Sequence, residues 1–288
     1  MADRRSLTIA RVGICVVWFV KLAFEPLTFY ADLPRSMFNP PGVLGFAPSS
    51  LWSTVLTHGF LTGLKLVLLV LVVLLGLGVR PYRPIAVATA LGLTFHEALA
   101  RGMTFVNHQE LALLYCTLIL AIAPAPHQAA ERPKAARATV TLMAVASLVP
   151  YTFIAAHRVA FSAPKIFAGA SLSTFLGSLS GLDRAGWKTG LWLMQQPHLM
   201  VLAKVGFAVT TVFELLAPLC LVNDRFRRVW LAVMIPFHIS TWFLMDIFFW
   251  ENLVLAGLLL IDWDGVVARV RAFPARYPRR RWNAASPA

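Results

Sequence analysis

The sequence predicts an all-α fold: a polytopic membrane bundle of about eight transmembrane helices, with amphipathic helices on one face. Three observations predict it. Of the 288 residues, 58% are hydrophobic and only 14% are charged, where a soluble domain carries about 25% charged residues. Several apolar runs approach or exceed the roughly 18 residues that cross a bilayer core, and the mean hydropathy is +0.70. No segment shows the alternation over about ten residues that a transmembrane barrel would need.

The expected spans are 7–24, 53–78, 83–100, 105–124, 138–160, 199–222, 229–247 and 251–267. The first reads as a retained span, because Phe24-Glu25-Pro26 follows it where a signal peptide would have a small-residue cleavage site. The second carries Lys65 midway, and the third is short and ends on His96-Glu97. The fourth opens on Asn107, His108, Gln109 and Glu110, then turns almost wholly apolar. The fifth ends on His157-Arg158. The sixth holds Lys204 and Glu214 and is interrupted by Pro218, and the seventh has His238 near its middle. The whole chain, 1–288, reads as one integral membrane domain with a short basic tail from about 268 to 288.

Lys and Arg in short connections set orientation. With the N-terminus in the cytoplasm, the segments around Arg4, Arg80, Lys134, Arg227 and Arg280 all fall on the cytoplasmic side. They hold 16 of the 26 Lys+Arg, against five on the opposite side (Arg35, Arg101, Lys165, Arg184 and Lys188). Only an even number of spans puts every basic cluster on one side, so both termini are expected in the cytoplasm. The net charge of +13 is then topogenic, the partner is the lipid bilayer, and no nucleic acid is expected. Cys15, Cys116 and Cys220 lie in apolar runs without a CxxC pair, which excludes a redox dithiol or a zinc knuckle.

Two long connections face the other way. Segment 25–52 has prolines at 26, 34, 40, 41 and 48; segment 161–198 places Phe167, Leu172, Phe175 and Leu179 at helical spacing. Short amphipathic helices that cap the bundle are expected from both.

Ionisable residues inside spans are costly and usually face an interior cavity. The topology puts His96, Glu97, His108, Glu110, His157 and Arg158 at one depth near the outer face, with Lys204 a turn and a half below. Lys21, Glu25 and Arg101 read as headgroup-level residues, and Arg11 with Glu214 as an interhelical bridge. The Lys, Arg and His content in apolar walls suits an anionic substrate group or a deprotonation step. The same cations oppose a bound dication, and no CxxCH exists for haem attachment, so no metal is expected.

In order along the chain come "NHQELALLYCTLILAIAPA", "VPYTFIAAHR", "FELLAPLCLV", "MIPFHIS" and "FFWENLVLAGLLLID". This series resembles the HTTM family, the membrane domain shared with vitamin K-dependent gamma-glutamyl carboxylase, and the sporulation-delaying B-type membrane proteins. The resemblance covers about 7–265. It implies a catalytic role for His108, with Asn107 and His238 on matching motifs; the shared outer depth adds His96, His157 and Arg158 as candidate substrate-binding residues lining the same pocket. It also implies a reduced quinone as cofactor and a secreted peptide or protein, or a lipid-soluble molecule, as substrate. Where the carboxylase has its base lysine, this chain offers Arg158 or Val159; arginine is too basic for that role, and Lys165, two helical turns on, is the candidate catalytic lysine in its place. The alternative expectation is a non-catalytic membrane partner in maturation or export of a secreted peptide.

Overall fold

The computed structural model describes residues 4–103, 110–167, 170–179, 188–245, 247, 249–263 and 265–268. Every regular element among them is helical: α1 (Arg4–Phe24), α2 (Ser49–Val55), α3 (His58–Leu77), α4 (Tyr82–Met103), α5 (Leu111–Ile122), α6 (Pro133–Phe167), α7 (Ala170–Leu179), α8 (Thr189–Met194), α9 (Pro197–Leu215), α10 (Asp224–Met245) and α11 (Trp250–Leu260). Short 3-10 turns lie between them.

Five helices are long and apolar enough to cross a membrane: Arg5–Phe24 in α1, His58–Leu77, Pro133–Phe161 in α6, Pro197–Leu215 and Asp224–Met245. The other three expected spans are helical but fall short of that standard. α4 has 22 residues but carries Arg83, His96, Glu97 and Arg101. α5 and α11 are apolar but have 12 and 11 residues, about 18 and 17 Å at 1.5 Å per residue.

Three boundaries differ from the expectation, each for a local reason. The run 53–78 is not one helix. Leu56 leaves helical geometry (φ −85°, ψ 52°), and Thr57 turns extended and caps α3, its hydroxyl accepting from the Phe60 N–H at 3.4 Å. α6 continues to Phe167 and reaches 35 residues, about 52 Å, well over the roughly 30 Å hydrocarbon thickness. Near Pro218, which has no N–H to donate, α9 ends at Leu215 and a 3-10 turn, Ala217–Leu221, leads to α10.

α1 is the central helix and packs against α3, α5, α6 and α11, while α6 joins this half to α9. Ile14, Trp18 and Leu22 of α1 are fully buried in that core. Outward faces are apolar too, with Leu66, Val67 and Val70 of α3 and Val201, Leu202 and Val205 of α9 exposed. Such stripes on a helix bundle fit lipid rather than water.

One end of the bundle is rich in connecting segments. There α2 and the 3-10 turns of 27–46 bury Leu27, Trp52, Val55 and Leu56 against Leu61, Leu99 and Met103. The Asn39 N–H donates to the Gly102 carbonyl at 2.8 Å, which ties this cap to the end of α4. The second connection forms α7 and α8, whose Leu172, Leu176 and Leu193 pack on Met200, Phe207 and Met245. The described parts of both long connections are therefore partly helical and pack on the bundle, the first mainly as 3-10 turns with the short α2 and the second as α7 and α8.

Candidate functional site

Among the described residues, seven ionisable side chains meet at the loop-rich end, supplied by α1, α4, α5 and α11 and their margins. Lys21 is central. Its ammonium lies 3.1 Å from Glu110, 3.6 Å from Glu97 and 3.9 Å from Glu25. Arg101 sits 3.9 Å from Glu97 and 3.8 Å from Glu110. His96, with no exposure, is wedged between Glu25 (Nε2, 3.4 Å) and Glu97 (Nδ1, 3.6 Å). The edge of Trp18 packs on the His96 ring, and the Trp18 indole N–H donates to the Thr117 hydroxyl at 2.8 Å.

Lys65 closes the near side by donating to the carbonyls of Ala23 and Glu25 at 3.1 and 2.9 Å. This explains a mid-helix lysine: its long stem carries the ammonium to the frayed end of α1, where carbonyls lack helical partners.

The energetics favour a self-neutralised cluster. Charges about 4 Å apart at an effective dielectric of about 20 interact by roughly 4 kcal/mol, while removing one ion from water costs several kcal/mol. Lys21 has three such neighbours, so attraction offsets its desolvation. Outside the helices the same balance sets Glu25: burial alone would push its carboxyl up, but His96, then Lys21 and Lys65, outweigh burial and hold it below the usual carboxylate range. Burial, with Glu25 next, pushes the Tyr30 hydroxyl above this cluster up to about 12.

A groove of about 580 Å³ opens onto the cluster, lined by Val20, Lys21, Phe24, Glu25, Glu110, Trp250 and Glu251. Glu251, in the first turn of α11, is 3% exposed, and its Oε2 has no hydrogen-bond partner among the described residues.

A second polar centre lies between α6, α9 and α10. Arg158 donates to Glu214 at 2.6 Å and to the Thr211 hydroxyl at 2.9 Å, and its guanidinium stacks 4.8 Å from the Phe207 ring centre. Tyr151 and His238 share a hydrogen bond of 2.9 Å, with Trp230 edge-on to Tyr151 and Phe249 against His238. Beside it, α7, α9 and α10 enclose an apolar groove of about 350 Å³ that includes Phe207, Phe237, Thr241 and Met245.

The chain matches no model of a known protein family, no curated protein and no solved structure.

The sequence-predicted residues thus divide. His96 joins the first centre; Arg158 and His238 join the second; His157 is exposed and makes a ring contact with Phe161. Asn107 and His108 lie outside the described residues, and Lys165 is carried by α6 with its side chain outside them. The expected bridge between Arg11 and Glu214 does not form. α6 runs nine residues past Arg158, about 14 Å, so Arg158 sits inside the bundle and takes Glu214, while Arg11 lies against Tyr82 and Gly78.

Sequence reasoning set aside Lys21, Glu25 and Arg101 as headgroup residues, gave Glu110 no inward role and did not single out Glu251. Their shared depth was the available signal. The sign of the site changes with them, because the cations are matched by carboxylates and the unmatched group, Glu251, is an acid.

Proposed function

We propose that this chain is an eight-span bacterial inner-membrane protein of the HTTM type that receives a peptide or lipid-soluble substrate at its loop-rich, extracytoplasmic end. α1, α3, α4, α5, α6, α9, α10 and α11 supply the spans. The observation that carries the reading is the convergence of Lys21, Glu25, His96, Glu97, Arg101, Glu110 and Glu251 from four helices beneath a groove at that end. Buried ionisable groups in a membrane bundle are costly, and a structural bridge needs two, not seven.

The resemblance implies a reduced quinone, and the described residues fit one poorly. The apolar groove of α7, α9 and α10 has aromatic walls suited to a ring. Its hydroxyls are committed, however: Thr210 donates to the Phe207 carbonyl, Ser240 to Phe237 and Thr241 to His238. His238 is bound to Tyr151 and does not line the groove.

A second reading, a non-catalytic partner in maturation or export of a secreted peptide, is favoured by Arg158. At the place of the family's base lysine it is held by Glu214 and Thr211, and an arginine so engaged positions helices rather than moving protons. One experiment separates the readings. The full chain is purified in mild detergent, and its bound molecules are extracted and identified by mass spectrometry. A small lipid-soluble molecule or a modified peptide retained by the wild type and lost from His108→Ala supports the enzyme; an unmodified peptide retained by both supports the partner. Retention of neither overturns the proposal.

A further inference from the structure

We propose that the groove over the ionic cluster binds an organic ammonium group on an apolar stem, with Glu251 as its counter-ion. The proposal rests on reading the loop-rich end as the substrate-receiving end, and it names the chemistry of what is received.

The charges argue for it by count and by place. Among the described residues, four carboxylates, Glu25, Glu97, Glu110 and Glu251, stand in and around the cluster with three basic side chains, Lys21, Lys65 and Arg101. The ion pairs assign Lys21 to Glu25, Glu97 and Glu110, and Arg101 to Glu97 and Glu110. Lys65 spends its donors on carbonyls. His96 can neutralise only the two acids it touches, Glu25 and Glu97. Glu251 forms no ion pair among the described residues, is 3% exposed, and keeps Oε2 without a hydrogen bond.

An ionised carboxylate buried in this way is expensive unless it is paired. A cation entering the groove would meet Glu251 together with Glu25 and Glu110, and only Lys21 would oppose it. The rest of the lining is apolar: Val20, Phe24 and Trp250. Aromatic faces attract ammonium groups, more strongly as water is excluded, and Phe24 and Val20 suit a hydrocarbon stem. A metal ion is the wrong occupant, since no three His, Cys, Asp or Glu among the described residues are arranged to hold one. Two sources carry this chemistry: a lysine side chain or amino terminus of a peptide, and the ethanolamine headgroup of a phospholipid.

The test uses the full chain in phosphatidylcholine nanodiscs and reads binding of n-butylammonium by ligand-observed NMR, with n-butanol as the uncharged isostere. Saturable binding of the ammonium but not the alcohol is expected. Glu251→Gln should weaken it tenfold or more, and Glu251→Asp should retain part of it. Phe24→Ala removes a ring that is 84% exposed, so the protein should fold normally while affinity falls severalfold. Equal binding by Glu251→Gln and wild type, or by n-butanol and n-butylammonium, overturns the proposal. If Glu251→Gln does not fold, the alcohol comparison and Phe24→Ala decide. Competition by N-acetyl-lysine methylamide assigns the site to a peptide, and competition by phosphatidylethanolamine added to the nanodisc assigns it to a lipid. If neither competes, the proposal falls. Because this readout needs no turnover and no co-purified molecule, its failure leaves the proposed function to be judged by mass spectrometry alone.

Discussion

Arg158 and His157 are neighbours with opposite fates, because consecutive helical residues point about 100° apart. Burying Arg158 against Glu214 and Thr211 turns His157 outward. Glu214 is 5% and Arg158 18% exposed at the side chain, so removing either partner strands a buried charge. Arg158→Met or Glu214→Leu should each destabilise by about 3–5 kcal/mol, and the two together should recover most of the loss. Thermal unfolding of the solubilised protein checks the cycle; strict additivity of the two single losses would mean that the pair is not coupled. Glu25 makes a pH prediction. Its carboxyl titrates lower in the folded protein than in the unfolded chain, so the stability it contributes is fully present above the unfolded value near 4.3 and is lost as pH falls through the depressed folded value. Glu25→Gln should flatten the dependence of melting temperature on pH below about pH 4.5.

At the scale of elements, α3 shows what a hydropathy run conceals. The sequence reads 53–78 as continuous because nearly every residue is apolar, yet Thr57 starts a new helix and Gly78 ends it in the left-handed region (φ +71°). The Gly78 N–H bonds the Leu75 carbonyl at 3.0 Å and the Val79 N–H bonds Leu74 at 3.1 Å, which satisfies the last carbonyls of α3 before Arg80-Pro81 turns the chain. A side chain at Gly78 would meet two obstacles: the conformation, and Pro126, whose Cγ lies 2.7 Å from where a Cβ would stand, with Arg11 at 3.3 Å. Gly78→Ala should therefore cost about 1–2 kcal/mol from the conformation alone and more from displacing Pro126. A melting temperature within error of wild type would refute the packing argument. Thr57→Ala should cost about 0.5–2 kcal/mol through the lost cap, with α2 still covering the α3 and α4 ends. These boundaries depend on single hydrogen bonds, which hydropathy does not register; α6 escaped for the opposite reason, since its last turns continue into polar sequence that looked like a loop.

For the whole molecule, depth was legible and direction around each helix was not. Alternating spans fix which residues share a level, and that alone grouped His96, Glu97 and Glu110. Whether each faces the bundle or the lipid depends on packing that one sequence does not reveal, which is why Lys21 and Glu251 were passed over and His157 was included. The charge asymmetry that underlies the depth argument also carries the last prediction. Basic residues at the α3–α4 turn (Arg80, Arg83), the start of α6 (Lys134, Arg137) and the start of α10 (Arg225, Arg227, Arg228) stand at the ends of helices remote from the ionic cluster. The loop-rich end pairs Arg35 with the Leu56 carbonyl and Arg101 with acids. Because Lys and Arg in short loops resist translocation, the remote end should stay in the cytoplasm. Alkaline phosphatase, active only outside it, should be silent when fused after Arg83 or Asn223 and active when fused after Pro48 or Gln196. α4, α5 and α11 each fail one criterion for an independent span, so a fusion after Met103 discriminates most sharply. Activity there means that α4 crosses despite four ionisable residues, held by the partners its own charges find in the bundle; silence would mean that it does not cross, and the groove would then open to the opposite side.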